Sequence, residues 1–216
     1  MTNRLIDNMR HTTIEKIRGD KDKVFYVCSY GGCGSKALCE YLGYFGKVKH
    51  VHSRNPPINL THIGLYSQYD EWFSNRPIAK EDLQNYYVIF IYRDPIKAIQ
   101  SRFGQKEHLQ HIQCNPTITL KQVIESQQDL YGIENFFDNY TNRTTKRNYK
   151  IYCVKYEYLF NNIEELNRVL NIRCNKDIYP VERTSNKPLT KEHLSLYPIY
   201  ANLIKKMNRM KFITNL

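Results

Sequence analysis

Apolar residues fall along this chain in short runs separated by longer amphipathic stretches. Val24 to Cys28 (VFYVC) and Tyr86 to Tyr92 (YYVIFIY) are uninterrupted, and Tyr149 to Lys155 is a third apolar strand pattern. Runs of this length without polar alternation, rich in β-branched and aromatic residues, predict strands buried on both faces, as in a parallel sheet. Val48 to His52 (VKHVH) predicts a further short strand, with His50 and His52 on one face because side chains alternate. Helical spacing appears at Leu38, Tyr41 and Leu42, through Leu120 to Tyr140, over Ile163 to Leu170, and in two stretches that run to the C-terminus. Strands alternating with helices predict an α/β domain, a three-layer sandwich with a central parallel sheet and its ligand across the carboxyl ends of the strands.

Two junctions in this pattern carry candidate chemistry. After the first strand come Gly31, Gly32 and Gly34, then Ser35 as the expected cap of a helix. Glycines allow positive φ and close backbone approach, and a helix N-terminus offers free N–H groups to phosphate or sulfate. The same glycines also suit a tight turn with no ligand. After the Tyr86 to Tyr92 run, Asp94 is a good N-cap and Pro95 a good first helical residue. Arg93 at the strand end and Ser101, with Lys97 four residues before it, then lie where a guanidinium and a hydroxyl meet one phosphate or serve only the fold.

Charge fits an anionic ligand without choosing one. Lys and Arg number 32 against 21 Asp and Glu, for a net +11, which favours anionic cofactors, sulfated or phosphorylated substrates, or nucleic acid. The 216 residues suit a single domain, 1–216, able to bury about 70% of its unfolded surface. Six cysteines show neither C-x-x-C pairs nor metal-ligand spacing, so reduced thiols and no metal are expected. The first 23 residues hold no long apolar stretch, so neither signal peptide nor membrane anchor is expected, and a cytoplasmic protein is.

Several connecting stretches stay open between structural and functional roles. Thr12 to Gly19 is a polar approach to the first strand. Arg54 stands in a proline-broken connection, as a surface residue or as a contact for an anionic acceptor. Trp72, among Tyr66, Tyr69 and Phe73, either fills the core or lines a pocket. Gln105 to Asn115, with His108 and His111, is expected to be a mobile lid.

The glycine loop lacks the G-x-x-x-x-G-K-[ST] spacing, with Lys36 one place late and Ala37 without a hydroxyl for magnesium, which disfavours a P-loop nucleotide kinase. Cys33-Gly34-Ser35-Lys36-Ala37-Leu38-Cys39-Glu40 instead resembles the 5′-phosphosulfate loop of sulfotransferases, nearest the glycosaminoglycan branch. Arg93-Asp94-Pro95 followed by Ser101 resembles the 3′-phosphate motif of that family, and Val154 to Ile172 resembles its Y-E-D-L strand end and following helix.

The resemblance implies a P-loop-like sulfotransferase fold. It also implies 3′-phosphoadenosine 5′-phosphosulfate (PAPS) as donor, no metal, and an acceptor hydroxyl on a glycan or small molecule rather than nucleic acid or membrane. It places the 5′-phosphosulfate on Gly31, Gly32, Cys33, Gly34, Ser35, Lys36 and Ala37, and the 3′-phosphate on Arg93 and Ser101. Tyr156 would lie near the adenine, and Arg183, with Lys187, would close over the 3′-phosphate. His52 would be the base, with His50 where other members carry a glutamate, and Lys36 would stabilise developing charge. The family's loop lysine or arginine falls on Gly32, which keeps a non-catalytic nucleotide-binding relic as an alternative.

Overall fold

The computed structural model describes residues 22–63, 76–174, 176–182 and 188–216. The expectations placed on Thr12 to Gly19, on Tyr66, Tyr69, Trp72 and Phe73, and on Arg183 and Lys187 lie outside the described residues.

The uninterrupted apolar runs are the centre of the sheet. β1 (Val24–Cys28) pairs on one side with β2 (Lys47–Val51) and on the other with β3 (Tyr86–Tyr92), which pairs in turn with β4 (Ile151–Lys155), all parallel. β5 (Ile213–Asn215) closes the edge antiparallel to β4, giving the order β2-β1-β3-β4-β5. Phe25 to Cys28 and Val88 to Tyr92 are buried at every position, so both faces of these strands are covered. The protein is thus an α/β domain with a five-stranded, mostly parallel sheet flanked by helices.

Strand order explains how the two faces are covered. The connection from β1 to β2 runs through α1 (Ser35–Leu42) toward one edge of the sheet. From β3 to β4 the chain runs toward the other edge, through α2 (Pro95–Arg102), α3 (Lys106–His111), α4 (Leu120–Ser126) and α5 (Ile133–Thr141). Right-handed crossovers in opposite directions place their helices on opposite faces and open a crevice between β1 and β3 at the carboxyl ends. After β4 come α6 (Tyr156–Leu159), α7 (Ile163–Val169), α8 (Lys191–Leu194) and α9 (Tyr197–Asn208), the last packed on α2.

The structure departs from the sequence pattern in five places. The second strand stops at Val51, so His52 lies just past it, and the fourth begins at Ile151 rather than Tyr149. The long helix expected over Leu120 to Tyr140 is two helices, because Gln127 turns left-handed at φ 53 and ends the first one. Gln105 to Asn115, expected to be a lid, contains the helix α3, whose His108 and Leu109 are buried. The chain ends in a strand instead of a helix, since Ile213 to Asn215 finds the open edge of β4. No described helix is long and apolar enough to cross a membrane.

Candidate functional site

The crevice between β1 and β3 is a cleft of about 450 Å³. Gly31, Gly32, Gly34, Ser35, Lys36, His50, His52, Arg93, Ser101 and Tyr156 line it, together with Arg102, Gln105, Glu107, His108 and His111 from α2 and α3. Its size is that of an ordinary small-molecule site. Among the described residues, Lys36, Arg93 and Arg102 face it against one carboxylate, Glu107, so it favours an anion.

The loop after β1 is shaped by its backbone. Gly34 is the N-cap of α1 in the left-handed conformation, φ 74, with no side chain capping the helix. Ser35 is therefore the first helical residue and not the cap, and its buried hydroxyl turns to other side chains. Gly32 has φ 67, and a Cβ there would lie 2.6 Å from the Ala98 carbonyl oxygen and 2.9 Å from its Cα. The loop thus rests directly on the backbone of α2, which brings Arg93 and Ser101 beside it. Cys33 and Ala37 do not line the cleft. The Cys33 thiol is buried, donates to the Gly31 carbonyl at 3.0 Å, and is pushed up in pKa by that burial.

The strand ends are pinned to one another by groups the apolar pattern does not reveal. Tyr30, fully buried, accepts from the Arg93 N–H at 3.0 Å and donates to the Arg93 carbonyl. Burial holds its phenol well above the usual range, so it stays a neutral hydroxyl. Glu157 accepts from the Asp94 N–H at 2.8 Å, tying α6 to the start of α2, while Asp94 accepts from the Lys97 N–H at 3.0 Å as the expected cap.

Arg93 is held from two sides. Its Nη1 donates to the Gly32 carbonyl at 3.2 Å, and the guanidinium lies 4.6 Å from the Tyr156 ring centroid. Its buried Nε has no partner among the described residues. Tyr156 also packs on Gly34, where a Cβ would lie 2.2 Å from its ring. One face of Tyr156 is therefore occupied by Arg93, and the tyrosine supports the guanidinium. Lys97 is not brought into the cleft; it lines a separate cavity of about 240 Å³ with Lys155 and Glu157.

Four imidazoles gather at the other side. The His50 and His52 rings are 4.2 Å apart, and His111 lies parallel to His52 at 6.2 Å. His52 Nδ1 is 2.8 Å from the Ser29 carbonyl oxygen. A carbonyl only accepts, so Nδ1 carries the proton and Nε2 keeps its lone pair. Burial lowers the pKa of His52, so it is neutral at neutral pH. Burial lowers His50 to about 3 and His108 to about 4, helped by neighbouring histidines and Arg102. His50 Nε2 is engaged differently, 2.8 Å from Ser35 Oγ. His108 Nε2 donates to the Tyr30 carbonyl at 3.1 Å.

Arg54 is not available to an acceptor. Its guanidinium donates to the carbonyls of Gly132 at 2.5 Å and of Ile112 and Tyr131 at 3.1 Å each. It fastens α3 to the start of α5. Among the described residues no group of His, Cys, Asp or Glu is arranged to hold a metal ion, and the six cysteines are free thiols.

Ser29, Tyr30 and Arg102 escaped the sequence reading. Arg102 is adjacent to Ser101 on the same helix, which was the available signal; nothing in the pattern shows that Tyr30 turns back to β3. No known family model matches the chain, and no curated protein is significantly similar to it.

Proposed function

We propose that this protein is a sulfotransferase that moves a sulfuryl group from PAPS to a hydroxyl of an acceptor, on a sulfotransferase variant of the α/β sheet. The observation that supports this most is one cleft combining an anion loop at a helix N-terminus, a guanidinium with an unpartnered N–H, and a neutral imidazole with its lone pair free. The 5′-phosphosulfate would sit on the N–H groups of Gly32 to Lys36, and Arg93 with Ser101 would take the 3′-phosphate. His52 Nε2 accepts the acceptor's hydroxyl proton as that oxygen bonds to sulfur. The sulfur–oxygen bond to the 5′-phosphate breaks and adenosine 3′,5′-bisphosphate leaves. Lys36, exposed in the first turn of α1 and facing the cleft, offsets charge on the transferring group.

A cation at position 32 is excluded by the Ala98 backbone, so among the described residues Lys36, Arg93 and Arg102 are the cations beside the loop. Transfer of labelled sulfate from PAPS to a panel of acceptors, run beside calorimetry of nucleotide binding, tests the reading. Adenosine 3′,5′-bisphosphate should bind more tightly than AMP by about 2–3 kcal/mol, the size of lost charge-assisted contacts. Lys36→Ala should slow transfer roughly 100-fold, as for one transition-state donor. His52→Ala should remove the rising limb of the pH–rate profile and leave nucleotide binding intact. Equal affinity for the two nucleotides would remove the 3′-phosphate assignment. Tight bisphosphate binding without transfer to any acceptor would favour a binding protein over an enzyme.

A further inference from the structure

Behind the glycine loop runs a chain of hydrogen bonds that the transfer step leaves unused. The Gly31 N–H donates to Ser29 Oγ at 3.3 Å, Ser29 Oγ donates to Ser35 Oγ at 3.1 Å, and Ser35 Oγ lies 2.8 Å from His50 Nε2. A hydroxyl has one proton and two lone pairs. If Ser35 donates to His50 with the loop empty, Nε2 is bare and Ser35 offers no donor to the cleft.

An anion at the N-terminus of α1 changes that balance. It gives Ser35 a charged acceptor, which makes a stronger hydrogen bond than a neutral imidazole does. If Ser35 turns its proton to the anion while Nε2 stays bare, two lone pairs face each other at 2.8 Å. The conflict ends when Nε2 carries a proton and donates it to Ser35.

We propose that His50 is a positioning residue that switches tautomer with the occupancy of the loop: a bound anion turns the Ser35 hydroxyl toward itself and draws His50 from bare Nε2 to Nε2–H. The ring stays neutral throughout, since Nδ1 releases a proton to solvent as Nε2 takes one up. His52 has no such freedom, because its Nδ1–H is fixed on the Ser29 carbonyl. The two neighbouring imidazoles therefore divide the work, one locked with a free lone pair and one adjusting to the ligand. This inference rests on the anion-binding reading of the loop and is independent of sulfur chemistry.

The test is a 15N NMR titration of the full chain with labelled histidine, at neutral pH. The ligands are adenosine 3′,5′-bisphosphate and adenosine 3′-monophosphate, which lacks the 5′-phosphate. The His50 Nε2 resonance, assigned by its loss in His50→Phe, should move from the bare to the protonated class with the bisphosphate and stay in place with the monophosphate. A bisphosphate that binds without moving Nε2, or an Nε2 already protonated in the free protein, overturns the switch alone. Calorimetry showing no bisphosphate binding to the unaltered chain overturns the anion reading of the loop and the switch with it.

Discussion

Gly32 decides how the loop meets the rest of the site. Its φ of 67 and the 2.6 Å approach of a Cβ to the Ala98 carbonyl leave room for hydrogen alone. Gly32→Ala therefore incurs the left-handed penalty of about 1–2 kcal/mol together with a clash against helix backbone. Thermal denaturation should show a Tm lower by about 2–8 °C or more, from about 2–4 °C per kcal/mol in a domain of this size. Bisphosphate affinity should fall with it, because the loop lifts away from Arg93. An alanine variant with unchanged Tm and affinity would mean that the loop does not need this contact. The same geometry explains why this chain cannot carry at position 32 the cation that the resembled family places there.

At the scale of elements, the site depends on β1 and β3 ending side by side. Parallel pairing sets Cys28 opposite Phe90, and Tyr30 then reaches across to both backbone groups of Arg93. Tyr30→Phe keeps the ring and its contacts with Phe90 and Phe136 but removes the partner of the Arg93 N–H and carbonyl. The expected loss is about 1–3 kcal/mol in chemical denaturation. Adenosine 3′,5′-bisphosphate should also bind more weakly, since the strand end that carries Arg93 is no longer fixed. A phenylalanine variant as stable as the unaltered chain would show that the hydroxyl is not what joins the two strand ends. The break between α4 and α5 belongs to the same scale. It lets Arg54 collect carbonyls from Ile112, Tyr131 and Gly132, which holds α3, and with it His108 and His111, against the cleft.

Across the whole molecule, the buried imidazoles link the site to acid stability. Unfolded, His50 and His108 titrate near their ordinary 6.5; folded, burial lowers them to about 3 and about 4. Both states are neutral above 6.5, so the folded protein keeps its full stability there. Below that value the unfolded chain takes up protons first, and stability falls as the pH drops from about 6.5 toward the folded values. Denaturant midpoints measured from pH 7 to pH 4.5 should decline, and His108→Gln should flatten the decline. A slope unaltered by that substitution would show that His108 is not charging on unfolding. The net charge of +11 acts over the same distance, drawing anions to the cleft most strongly at low ionic strength.

The apolar runs by themselves determined β1, β3 and β4, because a strand covered on both faces is apolar along most of its length. Asp94 and Pro95 determined the start of α2, because capping is local chemistry that three or four residues complete. The glycines marked where the loop would turn. Only the tertiary structure decided that the Ser35 hydroxyl meets His50 rather than capping α1, and that Arg54 is taken up by carbonyls. It also placed Lys97 in a cavity of its own and recruited Ile213 to Asn215 as a strand. Each of these depends on a partner distant in sequence: β2 carrying His50 beside the loop, α5 starting under Arg54, β4 leaving an edge unpaired. Periodicity reports which face of an element is apolar. Which residue waits opposite that face is set by the order of strands in the sheet.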